Sequence, residues 1–171
     1  PFIKQGFIDK TIYKIASLFP SQTPQQLHRW NSLYEHQRIL TVKGEHINET
    51  LEILDHIQKQ HDIGYFQCSE QQAKSAYLLR FAAAGAAVQY ASIHNKDVEP
   101  IIALDIALKR NDENWFETLP EPINNKFVKK LYYGHFLCHV FHQDYLVKKG
   151  EDTQKIKASL LNILENRGAQ Y

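Results

Sequence analysis

Apolar residues return at helical spacing from the start of the chain: Ile3, Phe7, Ile8, Ile12, Ile15 and Phe19 fall on one side of a 3.6-residue period. Pro20 stops that run, and the stretch from Ser21 to Pro24 opens a second one carrying Leu27, Trp30 and Leu33. Alternation from Gln37 to Lys43 predicts a strand. Ile47, Leu51, Leu54 and Ile57 then mark the inward side of a helix from about His46 to His61. Ile63 to Cys68 reads as a short strand. Ser69-Glu70-Gln71-Gln72 has the capping-box pattern, in which the first and fourth residues satisfy each other's backbone N–H, and it predicts a helix to about Ala91.

From Val98 to Leu108 apolar and polar residues alternate again, as in a half-buried strand. Asn111 to Pro122 reads as a loop with Trp115 and Phe116 tucked in. The aromatic stretch from Leu131 to Gly150 predicts one long strand, and Asp152 caps a last helix with Ile156, Leu160, Ile163 and Leu164 apolar and Gly168 at its end. Period-two segments separated by helices in irregular order predict an α+β fold, an antiparallel β-sheet flanked by α-helices.

Composition narrows the function classes. A chain of 171 residues is one ordinary domain in size, and its formal charge of +1 gives no bulk-charge case for nucleic acid. No apolar run is long enough to span a bilayer. No Gly-rich loop follows a strand, so no dinucleotide or P-loop phosphate site is encoded. Cys68 and Cys138 make no disulfide framework, and a cytoplasmic setting is the default expectation. The chain lacks methionine and opens on Pro1-Phe2-Ile3, so it is expected to be a piece of a longer protein. Over residues 1–33, Lys4, Lys10, Lys14 and Arg29 face one acid, Asp9. An apolar stripe beside a basic one is the pattern of helices lying on anionic lipid, as well as of helices covering their own domain.

Chemistry concentrates in the aromatic stretch. His135, His139 and His142 lie within eight positions among Tyr132, Tyr133, Phe136, Phe141 and Tyr145. Imidazoles in such surroundings act as acid or base near neutral pH, ligate a metal, or simply bond backbone groups. On a regular strand His135 and His139 share a face and His142 takes the other. Arg80 is the second candidate. It is centred on a helix face formed by Ala73, Ala76, Tyr77, Ala83, Ala84, Ala87 and Ala91, where a guanidinium is expected to be buried beside an anion. That anion is a fixed carboxylate such as Asp105 or a substrate carboxylate. Asp105 and Asp144 read as solvent-side or salt-bridged strand residues.

The runs Leu79–Ala87, Ala103–Asp112, Leu131–Phe136, Val140–Tyr145 and Arg167–Tyr171 resemble the bacterial quinone-dependent D-lactate dehydrogenases, over roughly Trp30 to Tyr171. The resemblance is to the cap and membrane-binding region of those enzymes. It implies a peripheral protein on the cytoplasmic face of the bacterial inner membrane, oxidising D-lactate to pyruvate on FAD and passing electrons to quinone. The implied organisation is a helical, membrane-associating segment over 1–33 and a cap-domain fragment over 34–171, with the partner flavin domain outside this chain. Lys4, Lys10 and Lys14 would contact the anionic phospholipid surface. Distant D-2-hydroxy-acid dehydrogenases carry Gly-His-x-Gly-Asp-Gly-Asn-x-His, whose histidines bind a divalent metal. Gly134-His135 and His142 fall on that spacing, while Leu137-Cys138-His139-Val140 replaces the inner run. The resemblance thus implies His135 and His142 as catalytic or metal-ligating, with a further ligand in an Ala-Glu-His motif past Tyr171, and Arg80 as the clamp on the substrate carboxylate. A lysine of those relatives near Ala103 is absent. Without metal, His135 or His142 would serve as base. The alternative expectation is a non-catalytic membrane- or partner-binding module.

Overall fold

A computed structural model describes Thr11, Ile12, Ile15, Arg29, Trp30 and residues 32–171. Those five early residues are helical, Ser32 and Leu33 form a turn, and the rest of the segment expected over 1–33, with Lys4, Lys10 and Lys14, lies outside the described residues. The chain divides into two units, Phe19–Ala82 and Ala83–Tyr171 together with Pro1–Leu18.

In the first unit a short 3-10 turn, Gly44–His46, leads into helix α1, Ile47–Gln60. Ile47, Leu51, Leu54 and Ile57 are its half-buried side, as their spacing predicts. The two strands expected here do not form. Over 37–43 the chain is irregular, with Ile39 and Leu40 both more than half exposed. Alternation describes a strand only where a neighbour completes the ladder and a layer covers one face. Residues 63–68 are held by side chains instead: the Phe66 ring sits edge-on to Trp30 at 5.0 Å, and the Tyr65 hydroxyl donates to Asp55.

Helix α2, Glu70–Ile93, begins as its capping box dictates. Ser69 N–H donates to Gln72 Oε1 at 2.8 Å, and Gln72 N–H donates to Ser69 Oγ at 3.3 Å.

The second unit is built on a three-stranded antiparallel sheet of β1, Ile102–Ala107, β2, Phe127–His135, and β3, Val140–Val147, in the order β1-β3-β2. β1 is shorter than the alternation from Val98 predicts, because Pro100 has no N–H for the ladder. Val98 makes only an isolated bridge to Lys148. A one-turn helix α3, Glu121–Asn124, ends the expected loop. Trp115 packs edge-on to Phe141 at 5.1 Å, whereas Phe116 stays at 38% exposure.

The long strand expected over 131–150 is in fact part of a hairpin. A 3-10 turn at Phe136–Cys138 and a left-handed His139, φ 53°, reverse the chain between β2 and β3. None of these turn residues is of a type that announces a turn. Helix α4, Thr153–Asn166, is capped by Asp152, whose carboxylate accepts from Gln154 N–H at 3.1 Å and Lys155 N–H at 3.0 Å.

One face of the sheet and α4 share the core. Ile102, Leu104 and Ile106 of β1, Phe127 of β2, and Phe141, Tyr145 and Val147 of β3 pack with Ile156, Leu160 and Leu164. Alternation then sends Asp105, Tyr133, His142 and Asp144 to the opposite face. The α+β expectation holds.

Candidate active site

The hairpin changes what the histidines can do. On the central strand β3, His142 stands directly opposite Asp105 of β1 and directly opposite Tyr133 of β2. The Asp105 Oδ1 and His142 Nδ1 atoms are 2.5 Å apart. A carboxylate is the acceptor in such a bond, so the proton lies on Nδ1 and Nε2 is left for chemistry. The Tyr133 ring lies 5.2 Å from the imidazole at 30°, and the His135 ring lies 6.1 Å away at 78°. The Tyr133 hydroxyl in turn donates to Asp144 Oδ2 at 2.8 Å. Burial, then this bond to Asp144, push the Tyr133 hydroxyl up to about 12.

His135 and His142 are therefore neighbours across the hairpin, where one continuous strand would have sent them to opposite faces. His139 goes elsewhere. Its Nδ1 meets the Lys109 carbonyl at 3.1 Å, and its ring lies 5.5 Å from Trp115. Asp144, read from the sequence as solvent-side or salt-bridged, is buried, because it sits on the middle strand with a neighbour on each side. Gly134 lets the hairpin close, since a Cβ there would stand 2.4 Å from the Val140 carbonyl oxygen.

On the core face, the Tyr132 hydroxyl donates to the buried Glu117 at 2.5 Å and the Tyr145 hydroxyl donates to Gln143 at 2.6 Å. Burial raises both phenols above their ordinary range. The bond from Tyr132 ties the loop before α3 to β2, and the bond from Tyr145 lies within β3. Sequence patterning did not single out Glu117, Tyr133 or Asp144 as site-supporting residues. Their roles depend on strand register, and no local motif carries that.

Arg80 belongs to the other unit, and it departs from the expectation of burial. Its side chain is exposed, Nη1 donates to the Tyr77 hydroxyl at 3.1 Å, and the guanidinium carbon lies 5.8 Å and 5.7 Å from the Tyr77 and Phe81 ring centres. A long side chain reaches past alanine methyls, so the small stripe does not trap it. Asp105, its expected fixed partner, is bonded to His142.

The described residues do not make a metal set by themselves. No group of three His, Cys, Asp or Glu side chains among them could hold an ion, and two imidazoles fall short of the three or four ligands such a site needs. The arrangement as it stands suits proton transfer: an oriented imidazole, a second imidazole beside it, and a phenol ring packed against the first.

A sequence model of the family described as D-lactate dehydrogenase, membrane binding, matches residues 1–171. The chain is 46% identical over 170 residues to the quinone-dependent D-lactate dehydrogenase of Escherichia coli (strain K12) and 46% identical over 171 residues to that of Haemophilus influenzae. To the protein of the same name in Corynebacterium glutamicum it is 37% identical over 172 aligned positions. Each alignment covers 99% of this chain but only 30% of the relative's length.

Proposed function

Because the chain belongs to the D-lactate dehydrogenase membrane-binding family, we propose that it forms the membrane-associating and substrate-side part of a quinone-dependent D-lactate dehydrogenase. In this reading the full-length enzyme oxidises D-lactate to pyruvate, with FAD and then quinone taking the electrons, at the cytoplasmic face of a bacterial inner membrane. FAD is assigned to residues outside this chain, which has no Gly-rich turn between strand and helix to hold a pyrophosphate. The match over the whole chain carries the reading. The row of Asp105, His142 and Tyr133, with His135 alongside, supports a substrate role for the hairpin. His142 or His135 takes the lactate hydroxyl proton. Arg80, exposed and with no carboxylate ion-paired to it among the described residues, clamps the lactate carboxylate.

Membrane contact is peripheral in this reading. No described helix is long and apolar enough to cross a membrane. On α2, Tyr77, Leu78, Phe81 and Val88 are each more than half exposed, which supports shallow insertion at the lipid interface, and Lys4, Lys10 and Lys14 are assigned in the same reading to contact with anionic lipid. That same exposure favours the second reading, a module that binds membrane without taking part in catalysis.

The test is D-lactate-dependent quinone reduction by full-length enzyme carrying His135→Ala or His142→Ala. The substrate-side reading expects kcat to fall by about 100-fold or more in at least one of them, the usual size of a lost acid–base group. Parent-like kcat in both variants would leave the membrane-module reading standing alone.

A further inference from the structure

We infer that Asp105 is the positioning residue of His142, fixing which ring nitrogen faces the substrate. The inference rests on the proposed role of His142 and goes beyond it by assigning the group that orients the imidazole. His142 occupies the one strand of this sheet that has a neighbour on both sides, so its ring is confined laterally by Asp105 and Tyr133. Tyr133 cannot swing away without breaking its 2.8 Å bond to Asp144. Within those walls the side chain still has two ring orientations, related by a half-turn of the imidazole. Only one of them puts Nδ1 against Asp105 Oδ1, at 2.5 Å. The carboxylate accepts, so Nδ1 keeps its proton and Nε2 presents its lone pair.

Exposure separates this role from a structural one. The Asp105 side chain is 77% exposed and that of His142 33%. A polar contact so open to water contributes little to folding, so its worth lies in aiming the ring. Asp105 also has the right reach. It lies directly opposite His142 in the register, where its short side chain meets the ring.

The experiment uses full-length enzyme with Asp105→Asn, Asp105→Glu, His142→Ala and the double variant Asp105→Asn/His142→Ala. For Asp105→Asn, kcat is expected to fall about 10- to 100-fold with KM for D-lactate within about threefold, the signature of a group that acts on the transition state through another residue. Asp105→Glu should recover part of the loss, and the double variant should be no slower than His142→Ala alone. Independently of activity, histidine-selective nitrogen NMR should find His142 with its proton on Nδ1 in the parent, and should find that preference lost in Asp105→Asn. Parent-like kcat in Asp105→Asn, with His142→Ala slow, would overturn the positioning role and leave the histidine reading intact. A proton on Nε2 in the parent would overturn it as well. Parent-like kcat in His142→Ala would instead remove the reading on which it rests.

Discussion

Gly134 is required by what stands beside it. A Cβ would sit 2.4 Å from the Val140 carbonyl oxygen and 3.0 Å from the Phe141 Cα, and neither backbone atom can retreat without shifting the central strand. Gly134→Ala is expected to cost roughly 3 kcal/mol, read as a lower melting temperature and as loss of activity through the displaced histidines. His139 is the opposite case, a residue with a side chain held at φ 53° where glycine is easier. His139→Gly should relieve strain of about 1 kcal/mol, offset by the lost contacts to Lys109 and Trp115, and should leave kcat within about twofold of the parent. A large fall in kcat would bring His139 back into the site. The phenols set an alkaline limit. Tyr133 is pushed up to about 12, and Tyr132 and Tyr145 are raised as well, so the folded state keeps protons that the unfolded chain releases near pH 10. Their contribution is therefore intact below about pH 10 and is lost as pH rises from there towards 12. The part of the phenolate absorbance at 295 nm that belongs to these three of the nine tyrosines, isolated by Tyr→Phe variants, should rise together with the loss of circular dichroism rather than before it.

Among the elements, α4 shows most directly how a local signal and a packed face cooperate. Asp152 holds two of its first backbone N–H groups, and Ile156, Leu160 and Leu164 seal the core face of the sheet. Asp152→Ala should cost about 1 kcal/mol, a lost cap. Leu160→Ala, at a position with no exposed surface, should cost about 2–5 kcal/mol through the cavity it opens. Urea denaturation separates the two, and equal costs would mean that α4 is not seated on the sheet. The contrast with residues 37–43 and 63–68 is one of partners. Both stretches read as strands, the first by its alternation, but a strand is a property of at least two segments, and no ladder forms on them.

At the scale of the molecule, a family described by membrane binding is joined to a structure whose described helices do not span a bilayer. Binding of the full-length enzyme to anionic vesicles should therefore weaken with salt, while Phe81→Ser on α2 should weaken it at every salt concentration. Vesicle sedimentation measures both, and salt-independent binding unaffected by Phe81→Ser would remove α2 from the lipid surface. What the order of residues determines by itself is local. The capping box at Ser69, the Asp152 cap, the inward stripe of α1 and the alternation of β1 follow from steric and hydrogen-bonding preferences within a few residues, and each was readable without a partner. The family resemblance was readable for the same reason, since runs of side chains are a local record. The site was not. Whether Leu131–Gly150 is one strand or two depends on a turn made of Phe136, Leu137, Cys138 and His139, none of which announces a reversal. Tertiary structure alone decided that His142 would meet Asp105, a partner 37 residues away, because register between strands is set by the whole sheet and its buried face.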